Sequence, residues 1–216
     1  MTKKTNIIII ICLSFFCING FAQKTTKPDV TGVSNFKVVN REITRSKQDD
    51  KDIVHLNAKE GDGTAWINNL NFEKGVIEFD VKGKNVMQQS FVGIAFHGAD
   101  DSTFDAVYFR PFNFQSLDAV RKSHSVQYIS MPKYDWSTLR QNYPGKYENA
   151  LTSSIDPESW FHAKVVVEAD KITVYVNNDN KPSLVVSPLA KQTVGKMGFW
   201  VGNNSDGDFA NLTITQ

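Results

Sequence analysis

Between residues 75 and 82 the chain reads Gly-Val-Ile-Glu-Phe-Asp-Val-Lys, with Ile77, Phe79 and Val81 facing one way and Glu78, Asp80 and Lys82 the other. Successive side chains of an extended backbone point to opposite sides, so this alternation describes a strand with one buried and one wet face. The same period of two recurs in nearly every apolar run, and no stretch carries a convincing helical stripe. A chain patterned in this way is confined to β architecture.

Strands are expected near 36–40, 43–46, 53–57, 65–67, 75–82, 90–97, 103–110, 123–130, 161–168, 171–176, 184–186, 196–202 and 209–215. Turn residues separate them, among them Glu60-Gly61-Asp62-Gly63, Lys84-Asn85, Ala169-Asp170 and the Asn-rich stretch 203–208. Many short strands at close spacing predict an all-β fold, a two-sheet antiparallel jelly-roll sandwich. No repeat and no change of composition divides the chain, so residues 35–216 are read as one domain, preceded by a flexible lead-in at 23–34.

Residues 1–22 read as a signal peptide. Lys3 and Lys4 precede an apolar run that stops at Asn19-Gly20, and Gly20-Phe21-Ala22 offers small residues for cleavage after Ala22. A membrane span needs about 20 apolar residues, more than this run supplies. Export to the periplasm or the extracellular space is the expectation, and the style of the signal suggests a Gram-negative bacterium. Cys12 and Cys17 both lie inside the signal, with bulky residues before each, so neither a lipid anchor nor a disulfide framework is expected. Losing Lys3 and Lys4 takes the formal charge from +1 to −1 by subtraction of two cations. That balance excludes a general polyanion-binding surface and predicts no nucleic-acid partner and no membrane span after cleavage.

Residues 131–160 break the pattern. They hold too many Pro, Asn and Ser residues for a strand and at most one or two helical turns near 135–141. Long irregular connections in compact domains are often functional, and this one carries Tyr134, Trp136, Tyr143 and Tyr147.

Four segments together resemble the concanavalin A-like lectin/glucanase superfamily, in its laminin-G-like and glycoside-hydrolase-16-like bacterial branches. They are GVIEFDVKGKN (75–85), FVGIAFHG (91–98), WFHAKVVVEADKITVYVN (160–177) and GKMGFWVGNNSDGDFANLTI (195–214), and the likeness spans about the whole chain after the signal. The resemblance implies a curved sandwich whose concave face and rim loops handle glycans, as a hydrolase or as a non-catalytic binding or adhesion module. The hydrolase branch uses a Glu-x-Asp-x-x-Glu strand; here Glu78 and Asp80 begin it, but Gly83 stands where the second Glu belongs. Without it the carboxylate pair at about 5–5.5 Å needed for a covalent intermediate is missing there. Glu78 and Asp80 then read as the wet face of their strand.

Sugars need planar paired donors for their hydroxyls and aromatic faces for their C–H patches, which Arg and Tyr or Trp supply. Alternation places His97 with Phe91, Gly93 and Ala95, and Tyr108 and Arg110 together on the next strand, with Asp105 on the opposite side of that strand. Gln127 extends this polar set, and Tyr134 and Trp136 form a rim platform, giving His97, Tyr108, Arg110, Gln127, Tyr134 and Trp136 as the substrate-binding candidates. Arg110 paired structurally to an acid, with Tyr108 filling the core, is the competing reading. For hydrolysis, Asp105 with Asp135 or Glu148 are the carboxylates available. No cofactor is required. Asp206 and Asp208 could give two of the roughly six to eight oxygens of a structural calcium, an ion the resemblance allows on rim loops; an ordinary turn is the alternative. The expected partner is a polysaccharide or oligosaccharide.

Overall fold

The computed structural model describes residues 24–48 and 50–216; the expected signal segment at 1–22 lies outside the described residues. In chain order the strands are β1 Thr25–Thr26, β2 Phe36–Val39, β3 Ile43–Gln48, β4 Lys51–Leu56, β5 Gly63–Phe72, β6 Gly75–Lys82, β7 Val92–Gly98 and β8 Phe104–Phe109. They continue as β9 Val126–Met131, β10 Glu148–Asn149, β11 Phe161–Val167, β12 Ile172–Val176, β13 Leu184–Val186, β14 Gly195–Val201 and β15 Gly207–Thr215. Two short helices, α1 Ala119–Lys122 and α2 Trp136–Asn142, interrupt the β structure. Among the described residues no helix is long and apolar enough to cross a membrane.

The alternation at 75–82 produces what it predicts. Ile77, Phe79 and Val81 are fully buried, whereas Glu78, Asp80 and Lys82 remain half-exposed. β11 repeats the pattern and pairs antiparallel with β6, Ala163 opposite Phe79 and Val165 opposite Ile77. One sheet has eight strands in the order β13-β12-β11-β6-β15-β4-β3, with β1 paired to the end of β15. The other has seven, in the order β10-β9-β8-β7-β14-β5-β2. All pairings are antiparallel, and the two sheets stack as a sandwich.

Aromatic pairs clamp the layers together. Phe109 meets Phe161 with ring centroids 5.0 Å apart, and Phe199 stacks on Phe209 at 4.6 Å. Each such ring taken out of water contributes about 1.5–3 kcal/mol. Val92, Ile94, Phe96, Val107 and Phe109 of the seven-stranded sheet share this inner layer. Its outer face carries Trp66, Gly93, Tyr108, Gln127 and Trp200, and the segment 131–160 folds partly over it.

That segment has more structure than its composition suggests. Asp135 caps α2, its Oδ1 accepting from the Thr138 N–H at 2.7 Å. Leu139 buries the inner side of the helix against β9. β10 then adds an edge strand beside β9, with Glu148 opposite Gln127. The lead-in also begins in the sheet, because Thr25 and Thr26 pair with Thr215 and Ile214.

Candidate functional site

A single line of residues crosses the outer face of the seven-stranded sheet. Glu148 lies opposite Gln127, Gln127 opposite Tyr108, Tyr108 opposite Gly93, and Gly93 opposite Trp200. Gly93 makes the line continuous. A Cβ there would come within 2.1 Å of the Val107 carbonyl oxygen and 2.6 Å of the Tyr108 Cα, so only glycine allows this approach. The Tyr108 and Trp200 rings meet over it, centroids 4.9 Å apart.

Arg110 follows β8 and is almost wholly buried at the floor of this line. Its Nη2 donates to the Tyr108 hydroxyl at 2.6 Å and to Gln127 Oε1, and its Nη1 donates to the His124 carbonyl at 3.0 Å. The Tyr108 hydroxyl in turn donates to Gln127 Oε1 at 3.0 Å. The guanidinium also lies over the Tyr108 and Phe91 rings, 4.9 and 5.7 Å from their centroids. Burial raises the Tyr108 hydroxyl pKa to about 12 and lowers that of Arg110 from its ordinary value.

Glu148 supplies the counter-charge. Arg140 grips both its oxygens, Nε to Oε1 at 2.9 Å and Nη2 to Oε2 at 2.7 Å, while Arg110 Nη1 lies 3.6 Å from Oε2. Hydrogen bonding to Glu148 raises the Arg140 pKa, with burial opposing it. His124 Nδ1 is 2.9 Å from Oε2 but out of line for a hydrogen bond. Burial lowers the His124 pKa; Glu148 pulls the other way, and the two arginines add to the lowering. Arg140 also stacks on Trp136, 5.2 Å from the ring centroid, and Trp136 is half exposed above the sheet.

Two neighbouring clefts open here. The larger, about 390 Å³, has Arg110, Arg121, His124, Arg140, Phe112 and Trp136 among its walls. The smaller, about 170 Å³, lies over Tyr108 and Trp200 and is flanked by Asp62 and Asp135. Phe91, Trp136 and Asn203 line both.

Of the residues expected from sequence, Tyr108, Arg110, Gln127 and Trp136 come together. Gln127 is fully buried and holds Arg110 in place. Tyr134 lies elsewhere, tied to Ser130 by paired backbone hydrogen bonds and lining a separate cleft with Phe104 and Leu189. His97 requires a correction. Its φ of 54° reverses the alternation at the β7 end, where the pairing with β14 shifts register between Lys196 and Gly198. The ring consequently sits with Asp105 on the inner side, Nδ1 3.0 Å from Asp105 Oδ2, and Nε2 donates to the Glu73 carbonyl at 2.7 Å.

The expected acids separate as well. Asp105 is fully buried in the inner layer, where Tyr128 donates to it at 2.9 Å, so it reaches neither cleft. Both Glu148 oxygens are engaged by Arg140. Only Asp135 borders an open space, and its new neighbour is Asp62. Glu78 and Asp80 open on the far side of the sandwich, where Asp80 binds Lys51, His162 and Asn211. A carboxylate at position 83 would have no room, because even a Cβ would stand 2.5 Å from Ser90 Oγ.

The two carboxylates expected to hold calcium are both paired with nitrogen groups. Asp206 is paired with Lys84, and Asp208 Oδ1 with His55 Nδ1 at 2.6 Å, so cationic or ring nitrogens stand where further oxygens would be needed. No cluster of three His, Cys, Asp or Glu side chains suited to a metal exists among the described residues.

Arg140, Trp200 and Asp62 were not foreseen. Alternation along 196–202 puts Trp200 on the outer face with Gly198, a signal that was available; nothing in the sequence marks Arg140 as the partner of Glu148.

No family model matches the sequence, and no curated protein is significantly similar to it. Solved structures are. A carbohydrate-binding module, CBM66 from Bacillus subtilis, superposes with a TM-score of 0.58 at 14% identity, over 83% of this chain and 95% of that one. The fold is that of the concanavalin A-like lectins and glucanases. The kappa-carrageenase from Pseudoalteromonas carrageenovora, solved with an oligotetrasaccharide of kappa-carrageenan, shares this concanavalin A-like sandwich at a TM-score of 0.52 and 10% identity, over 92% and 97% of the two chains. The exoplasmic/lumenal domain of VIP36 in its Ca2+- and mannose-bound form does so at 0.55 and 11%, over 90% and 91%. At these identities the likeness establishes the concanavalin A-like fold alone.

Proposed function

We propose that this protein is exported to the periplasm or beyond and binds a glycan across the two joined clefts. The observation that carries the reading is the placement of Arg140 and Trp136 on one cleft, a partly exposed guanidinium stacked on an accessible indole. A pyranose has hydroxyl edges for the first and C–H faces for the second. The bound saccharides of kappa-carrageenase and VIP36 on the same fold support it. Titrating the purified protein with a panel of plant and algal oligosaccharides, read by calorimetry, tests it. Saturable binding weakened about tenfold in Trp136→Ala is expected; absence of binding to every saccharide overturns it.

Hydrolysis is a second reading, favoured by Asp62 and Asp135 flanking the smaller cleft. One carboxyl would protonate the departing glycosidic oxygen while the other took a proton from water attacking the sugar carbon. Desolvation raises the Asp62 pKa, and hydrogen bonds from Thr138 lower that of Asp135, the divergence that an acid and a base require. New reducing ends abolished by Asp62→Asn are the expected result. Binding without any release would leave the recognition module.

A further inference from the structure

The walls of the two clefts carry opposite charge, with Arg41 close to Asp62 as Glu148 is to the arginines. The walls of the larger hold Arg110, Arg121 and Arg140 and no carboxylate, whereas those of the smaller hold Asp62 and Asp135 and no cation. Two acids face the arginines from nearby. Glu148 lies behind them with both oxygens occupied, and Asp118 is 3.7 Å from Arg121 at the exposed rim. Three cations against these two anions leave one positive charge uncompensated. A buried guanidinium beside a second one is costly to maintain unless something negative completes the set.

We propose that the larger cleft binds an anionic sugar residue, carboxylate- or sulfate-bearing, while the smaller cleft takes a neutral neighbour in the same chain. The inference rests on the glycan reading above and adds its substrate class. Guanidinium groups present planar forks that match the paired oxygens of both anions. Arg140, partly exposed and stacked on Trp136, is placed to meet such a group while the sugar ring covers the indole. The acids of the smaller cleft repel the same anion, which fixes the direction in which an oligosaccharide lies across Phe91 and Asn203.

An array of acidic and neutral oligosaccharides tests this, followed by titration of each ligand against its uncharged counterpart. Oligogalacturonate is compared with its methyl ester, and sulfated galactan oligosaccharide with the desulfated form. The binders are expected to be acidic, to lose about tenfold or more of their affinity when the anion is removed, and to weaken with added salt. The exposed variant Arg121→Gln and the wall variant Arg140→Gln should weaken acidic ligands selectively. Arg121 makes no buried contact, so its variant reports even if Arg140→Gln unfolds. Equal affinity for charged and uncharged counterparts, or a preference for neutral glycans, overturns the anion proposal and keeps the glycan reading. No binding to any glycan overturns both.

Discussion

Arg140 holds both carboxylate oxygens of Glu148 from a helix that precedes it by one turn of loop, at 2.9 and 2.7 Å. The pair fastens α2 and β10 together, and with them the cleft that Trp136 and Arg110 line.

Glu148→Gln should destabilise the protein by about 3–5 kcal/mol, the usual effect of leaving buried charge without its partner. Arg110 is almost wholly buried and would then face Arg140 with no anion between them. Urea denaturation measures the loss. A change below about 1 kcal/mol, the range of exposed pairs, would mean that water already reaches the cluster.

Gly93→Ala should lower stability by about 1–3 kcal/mol, through displacement of backbone. The added carbon would meet the Val107 carbonyl oxygen at 2.1 Å, a rigid neighbour in the centre of the sheet. Thermal melts give the stability, and the near-ultraviolet dichroism of Tyr108 against Trp200 reports their separation. Unchanged values for both would contradict the close approach.

What could be read from the sequence follows the wetness of each face. β6 and β11 have one solvated side, so their polar residues declare the register, and the eight-stranded sheet was legible from alternation. β7 and β8 are buried on both sides and read only as apolar runs, so faces there had to be inferred by counting. Counting placed Tyr108, Arg110 and Asp105 correctly, because β8 is regular. It failed at His97, where one left-handed residue turns the side chain over just before Gly98 closes the strand. Glu148 was misjudged for another reason: a carboxylate's use depends on what distant segments bring to it, and Glu148 meets Arg110, His124 and Arg140 only in three dimensions.

Trp136→Ala should leave stability within about 0.5 kcal/mol, since an exposed side chain contributes little to the core. Glycan affinity should fall about tenfold, the loss expected when a stacking face is removed. Calorimetry against the tightest array ligand, alongside a melt of the same variant, separates the two effects. Full affinity in the variant would remove the indole from the binding surface.

Stability should vary with pH through two histidines on the far sheet. The His162 pKa is raised by its hydrogen bond to Asp80, and the His55 pKa by its bond to Asp208. A raised histidine pKa gives stabilisation that is complete below the unfolded value, about 6.5, and fades as pH rises through the folded one. Asp80 behaves in the opposite sense. Burial alone would raise its pKa, but bonds from His162, Lys51 and Asn211 more than reverse this and hold it low. Its contribution is therefore complete above the unfolded carboxyl value, about 3.9, and disappears as pH falls below that. The melting temperature should accordingly be highest between about pH 4 and 6.5 and decline on both sides. Replacing His162 and His55 together with Gln should flatten the alkaline decline and leave a lower, level profile there. A double variant that still loses stability between about pH 6.5 and 8 would place the titrating groups elsewhere.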